Sequence, residues 1–111
     1  MDPTEIDVDE LADRLDHGGA VLLDVRRPDE HEAAHLPEAN LIPLDEVPDR
    51  FAELPDADEV LVICRSGARS AAACEFLTAN GVRALNVAGG MLAWIDSGRP
   101  YRGTQAESNT G

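Results

Sequence analysis

A cysteine stands where an apolar segment gives way to a short loop that contains glycine. The apolar residues 60–63 precede Cys64, and residues 65–70 lead into a helical pattern. A helix that begins directly after a strand points its free N–H groups, and the positive end of its dipole, at the end of that strand. We therefore expect the loop to bind an anion, with Gly67 allowing the tight turn.

Two arginines, Arg65 and Arg69, flank this loop. A free cysteine has a pKa of about 8.5 and is only a few per cent ionised at pH 7, whereas amides and guanidinium groups favour the thiolate. We therefore predict that Cys64 is a nucleophile that needs no separate base. The predicted anion-binding residues are Arg65, Ser66, Gly67, Ala68, Arg69 and Ser70.

Apolar runs bounded by glycine and proline predict the elements that position the loop. We expect strands over 20–25, 39–42, 59–63 and 84–87, and helices between Asp7 and Gly18 and over 30–34, 44–54, 70–80 and 91–95. This alternation predicts an α/β fold, in which a mostly parallel central sheet of about five strands carries helices on both faces. Sites in such folds lie at the carboxyl ends of the strands.

The chain of 111 residues is the size of one domain. We predict a domain over 1–102 and a polar, disordered tail over 103–111. The sequence has no apolar run of the roughly 20 residues that span a bilayer, its first residues are acidic, and its two cysteines are too few for a disulfide framework. These features favour a reducing cytoplasm, and no residue spacing indicates a metal or another cofactor.

The charge is strongly acidic, with 22 Asp and Glu against 9 basic residues and a formal net charge of -13. Such a field repels phosphates, so we expect neither nucleic acid nor a membrane as a partner. The acidic residues are spread along the chain, which favours adaptation to high salt. A surface for a basic partner is the alternative.

Residues 64–70, CRSGARS, resemble the active loop C-R-x-G-x-R-[S/T] of the rhodanese-like sulfurtransferases. Upstream, DVR at 24–26, Pro28, Glu30 and HLP at 35–37 resemble the family's D-V-R-x-P-x-E and G-H-I-P patterns, and Gly89-Gly90 with Trp94 resembles its G-G-x-x-x-W. The resemblance extends over most of residues 6–94. Ala34 stands where the family has glycine.

The resemblance implies a rhodanese-like fold and a two-step transfer of sulfur. Cys64 would take the outer sulfur of a small sulfur-containing anion such as thiosulfate, become a persulfide, and pass that sulfur to cyanide or to a small or protein thiol. Arg65 and Arg69 would bind the oxyanion part of the donor. Among residues near the site, Asp24 and His35 are expected to be structural, and Arg26 and Glu30 to form an ion pair.

Three other functions remain open. The first is a cysteine phosphatase or arsenate reductase, although the related phosphatases place five residues between cysteine and arginine where this chain has four. The second is a binding module without turnover, and the third is a persulfide carrier that serves a partner enzyme. For Cys74, packing within a helix is the favoured role, with a resolving thiol as the alternative.

Overall fold

Strands and helices alternate along the chain. The computed structural model describes residues 4–105. The strands are Glu5–Ile6 (β1), Ala20–Asp24 (β2), Ala39–Leu41 (β3), Glu59–Ile63 (β4) and Ala84–Val87 (β5). The helices are Val8–His17 (α1), Pro28–Ala33 (α2), Val47–Arg50 (α3), Ala68–Ala79 (α4) and Gly90–Asp96 (α5), and 3-10 turns at Leu44–Glu46 and Phe51–Glu53 flank α3.

The five strands form one sheet in the order β1-β5-β4-β2-β3, and every neighbouring pair is parallel. The predicted α/β fold is therefore confirmed. From β2 the chain continues to β3 on one side, whereas β4 continues to β5 on the other, so the winding direction reverses between β2 and β4. A reversal of this kind leaves a crevice at the carboxyl ends of the two strands.

Both faces of the sheet are covered because the central strands are apolar on each side. In β4, Val60 and Val62 face a core formed with α3 and α4, whereas Leu61 and Ile63 face a core formed with α1 and α5. Leu61, Val62 and Ile63 have no exposed surface. Burying one such side chain stabilises the fold by about 1.5–3 kcal/mol, so β4 is held firmly on both faces up to the residue before Cys64.

The predicted start and end of α1 are confirmed. The Asp7 carboxylate accepts a hydrogen bond from the Glu10 N–H at 2.9 Å, which satisfies one of the free donors of the first turn. The helix ends at Gly18. Leu11, with no exposed surface, anchors α1 against the sheet.

Two local features differ from the prediction. The continuous helix expected over 44–54 is wrong, because Pro48 has no N–H to donate within a helix and its ring clashes with the preceding turn, so only four residues are α-helical. Strand β1 was not located, since two residues carry no periodic pattern. Its pairing with Asn86 and Val87 of β5 supplies the fifth strand.

The last described residues of the chain pack against α2. Residues 106–111 of the predicted tail lie outside the described residues. Arg102 pairs with His35 in an isolated bridge, and a Cβ at Gly103 would lie 2.6 Å from the Ala33 carbonyl oxygen, so the chain still packs on α2 at this point. Among residues 4–105 no helix is both long enough and apolar enough to cross a membrane.

Candidate active site

Strand β4 carries Cys64 to the carboxyl edge of the sheet, at the reversal between β2 and β4. The Val25 N–H donates to the Ile63 carbonyl oxygen at 3.1 Å, so the two strands stay paired up to the site. Cys64 has only 1% of its surface exposed. This exposure is typical of a cysteine in the core, so the hydrogen bonds of its sulfur decide whether the thiol is inert or reactive.

The Cys64 sulfur is surrounded by donors. Its Sγ accepts a hydrogen bond from the Gly67 N–H at 3.0 Å and another from the Ser70 hydroxyl at 3.2 Å. Gly67 has φ +112°, a left-handed conformation that turns the loop back over the sulfur before α4 begins. The loop and the first turn of α4 therefore form the expected anion-binding arrangement around one atom.

These contacts act on the ionisation of the thiol. Burial raises the pKa of Cys64, but hydrogen bonds from the Ser70 hydroxyl and from the backbone amides of Ser70, Gly67 and Ser66 outweigh it, so the pKa is lowered overall. Donors of this kind stabilise the anion more than the neutral thiol. The pKa of Cys64 is therefore lowered mainly by backbone amides and one hydroxyl.

Helix α5 holds the loop from the other side. The N–H groups of Met91 and Leu92 donate to the carbonyl oxygens of Cys64 and Arg65 at 2.9 and 3.1 Å. These are free donors of a helix start, and they fix the backbone of the nucleophile. Gly90 has φ +56°, and a Cβ there would lie 2.3 Å from the Cys64 carbonyl oxygen. Gly90 is therefore required for the close approach of α5 to the backbone of Cys64.

Asn86 of β5 supports the loop from below, although it is not among the predicted site residues. Its Oδ1 accepts from the Ser70 hydroxyl at 2.5 Å, and its Nδ2 donates to the Gly67 carbonyl oxygen at 3.2 Å and to Glu5 at 3.0 Å. The available signal was a single polar residue in an apolar strand, at the carboxyl end where sites lie.

The two loop arginines have different surroundings. Arg69 donates two parallel hydrogen bonds to Glu30, from Nη1 to Oε1 at 2.7 Å and from Nη2 to Oε2 at 2.8 Å. Arg65 is exposed, and within residues 4–105 its guanidinium has no ion-pair partner. Ser66 and Ala68 are exposed as well. The loop motif predicts the same role for both arginines, whereas the structure separates them.

The predicted ion pair between Arg26 and Glu30 is wrong, because each has another partner. The buried Arg26 donates to Asp24 from Nη2 at 2.6 Å and from Nε at 2.9 Å, and Asp24 has no exposed surface. Arg26 also donates to the backbone carbonyl oxygens of Glu30 and Ala34. The pair therefore fastens α2 to the end of β2 and leaves the Glu30 carboxylate for Arg69.

His35 and Cys74 lie outside the loop. His35 Nδ1 donates to the His31 carbonyl oxygen at 2.6 Å, and the two imidazole rings stack 4.0 Å apart. Cys74 has no exposed surface, and its burial first, then Cys64 and Glu5, raise the pKa of its thiol to about 12. A thiol with this pKa stays protonated at neutral pH, which favours helix packing over a resolving role.

Comparison with known families decides the assignment of the fold. The model of the rhodanese-like domain matches residues 7–97. The chain belongs to the rhodanese-like family. Rhodanese-like domains of known structure include one from Staphylococcus aureus, 38% identical, with a TM-score of 0.76 over 82% of this chain and 90% of that chain.

Two further relatives agree. A rhodanese-related protein from Thermoplasma volcanium is 32% identical, with a TM-score of 0.82 over 89% of this chain and 97% of that chain. A sulfurtransferase from Allochromatium vinosum is 41% identical over 98 residues, covering 86% of this chain and 92% of its own length. This rhodanese-like chain therefore aligns with a sulfurtransferase over nearly its full length, which supports a sulfurtransferase role.

Proposed function

We propose that this rhodanese-like protein transfers a sulfane sulfur from a small anionic donor, through a persulfide on Cys64, to cyanide or a thiol. The observation that carries the proposal is the pair of hydrogen bonds that Gly67 and Ser70 donate to Cys64 Sγ. They favour the ionised form of a buried sulfur, and the same donors can stabilise a terminal persulfide anion.

In the first step the Cys64 thiolate attacks the outer sulfur of the donor. A new S–S bond forms to Sγ, the donor's own S–S or S–sulfonyl bond breaks, and its electron pair leaves with sulfite when the donor is thiosulfate. In the second step the acceptor attacks the terminal sulfur of the persulfide. The Sγ–S bond breaks, and the thiolate of Cys64 is restored without an external oxidant or reductant.

Binding of the donor is assigned to residues 65–70. Arg65 presents a guanidinium that has no ion-pair partner in the described part of the chain, and the loop amides line the approach to the sulfur. Because the nucleophile has almost no exposed surface, the reacting end of the donor must be narrow. A terminal sulfur atom fits this requirement.

Intact mass spectrometry tests the proposal directly. After incubation with thiosulfate or methanethiosulfonate, the protein should gain the mass of one sulfur atom, and a reductant should remove it. Cys64→Ser should gain nothing while it unfolds at the temperature of the wild type. Cys74→Ser is the matched control and should still gain the sulfur. A Cys64→Ser variant that transfers sulfur would refute the proposal.

The substrate distinguishes the proposed sulfur transfer from the phosphatase and arsenate reductase alternative. The loop places four residues between Cys64 and Arg69, and Arg69 is occupied by Glu30. We therefore expect no turnover of a phosphate ester or of arsenate. A binding module without turnover is disfavoured by the hydrogen bonds that Gly67 and Ser70 donate to Cys64 Sγ, since an inert site needs no donors around its sulfur.

The proposal also covers the compartment, the acceptor and the extent of the domain. Both Cys64 and Cys74 are free thiols, which fits a reducing cytoplasm. The acceptor can be a small thiol or a partner protein, and the domain is taken to extend over residues 1–102. A persulfide that survives isolation without an acceptor would favour the carrier role.

A further inference from the structure

Glu30 pairs with Arg69, one of the two loop arginines to which donor binding is assigned. The two groups form parallel hydrogen bonds of 2.7 and 2.8 Å, the geometry in which a carboxylate fills the guanidinium fork. The pKa of Glu30 is lowered to about 2, first by its hydrogen bonds from Arg69. The carboxylate therefore keeps its negative charge throughout the neutral range.

Glu30 is also held in place from behind. Its Oε1 accepts a hydrogen bond from the Arg27 N–H at 3.1 Å, so the carboxylate caps the start of α2. Arg26 binds the backbone of the same helix and is itself fixed by the buried Asp24. A donor that needed Arg69 would have to displace a carboxylate that is hydrogen-bonded both to Arg69 and to the start of α2.

Segments 24–30 and 64–70, which meet at the Glu30–Arg69 pair, together carry no net charge when Cys64 is ionised. Arg65 and Arg69 are positive, whereas Glu30 and the Cys64 thiolate are negative, and the nearby Arg27 and Arg26 are matched by Asp29 and Asp24. The chain as a whole carries a formal net charge of -13. Within residues 4–105 the loop has one guanidinium without an ion pair, that of Arg65, which can neutralise one negative charge on a donor, whereas a second charge would be stabilised by the loop amides alone.

We propose, building on the sulfurtransferase function above, that the site favours singly charged sulfane-sulfur donors over the dianion thiosulfate, and that Glu30 sets this preference. Organic thiosulfonates and organic persulfides are the matching chemical classes. With a thiosulfonate, the Cys64 thiolate bonds to the outer sulfur, the bond from that sulfur to the sulfonyl group breaks, and a sulfinate leaves with the electron pair. With a persulfide, the leaving group is a thiolate.

Methanethiosulfonate and thiosulfate form a suitable pair of probes, because both present a terminal sulfur on a sulfonyl centre and differ by one charge. Their intrinsic reactivities differ, so the quantity to follow is the ratio of kcat/KM for thiosulfate to kcat/KM for methanethiosulfonate. This ratio does not depend on how much of a variant is folded, since both rates scale with the same active fraction.

Glu30→Gln keeps the length of the side chain and an oxygen for the Arg27 N–H, but removes the charge. We expect the ratio to rise by about tenfold, the order of the effect of one partly screened charge a few ångströms from the donor. Glu53→Gln is the matched control. It removes the same charge from the surface pair with Arg50 and should leave the ratio unchanged.

The possible results are distinct. A ratio that stays constant or falls in Glu30→Gln would overturn the proposal and leave Glu30 as a brace for Arg69. An equal rise in both variants would also overturn it, because global charge would then be the cause. If neither donor forms a persulfide on the wild-type Cys64, it is the sulfurtransferase function itself that fails.

Discussion

The hydroxyl oxygen of Ser70 lies 2.5 Å from Asn86 Oδ1, inside the core and directly beneath the nucleophile. The same hydroxyl lies 3.2 Å from Cys64 Sγ, and it has only one hydrogen to share between two acceptors. Ionisation of Cys64 strengthens the pull of the sulfur on that hydrogen. Ser70 therefore couples the charge on Cys64 to Asn86 of β5, a strand outside the active loop.

Ser70→Ala should make Cys64 a weaker nucleophile. The hydroxyl is the foremost of the groups that lower the pKa of Cys64, and a hydrogen bond to a charged group contributes about 1.5–3 kcal/mol. We expect alkylation by iodoacetamide below the pKa of the thiol to slow about tenfold or more, with the midpoint of its pH profile shifted upward. Ser70→Thr, which keeps the hydroxyl, should restore the profile.

Ser97→Ala is the control for this prediction, because the Ser97 hydroxyl donates to the Trp94 carbonyl oxygen, away from the loop. It should leave the pH profile as it is in the wild type. A Ser70→Ala variant with an unchanged midpoint would mean that the backbone amides alone hold the thiolate.

Gly90→Ala should disturb both stability and chemistry, because a Cβ at this position would lie 2.3 Å from the Cys64 carbonyl oxygen. Gly81→Ala isolates the backbone effect, since Gly81 also has a positive φ but nothing lies within 4 Å of its Cβ. A positive φ alone costs about 1–2 kcal/mol, so urea unfolding should show this loss in Gly81→Ala and a larger one in Gly90→Ala. Only Gly90→Ala should slow persulfide formation, and equal effects would contradict the role of Gly90.

Acid should weaken the fold through Glu30. The pKa of Glu30 is lowered to about 2 from 4.5, so its contribution is complete above pH 4.5 and is lost as the pH falls towards 2. Because Arg69 is about one-third exposed, we discount the effect to about 1–2 kcal/mol. The free energies of unfolding of the wild type and Glu30→Gln, measured with urea from pH 7 to pH 3, should approach each other as the pH falls. A constant difference would show that the pair does not stabilise the fold.

High salt should stabilise the protein. A formal net charge of -13 on 111 residues repels itself, and at 1 M salt the screening length falls to about 3 Å. We expect the thermal midpoint to rise between 0.1 and 2 M potassium chloride, beyond the rise of a neutral reference protein of similar size. A midpoint that does not respond would favour the alternative, in which the acidic surface serves a basic partner.

Much of the scaffold could be predicted because its signals are local. The strands over 59–63 and 84–87 have the predicted bounds, and Asp7 caps α1 as expected. The loop after Cys64 was located because an apolar strand, a glycine and a helical pattern follow one another within a few residues. Where local signals compete, as at Pro48 within the segment 44–54, the prediction failed.

The sequence by itself determined the type of fold, the position of Cys64 at the end of a buried strand, and the start of a helix that faces it. Only the tertiary structure decided which groups surround the sulfur and which arginine is free. Glu30 and Arg69 are 39 positions apart, Ser70 and Asn86 are 16 apart, and Asn86 and Glu5 are 81 apart. Such pairs depend on strand order and on the packing of helices against the sheet, which are properties of the whole chain rather than of any short segment.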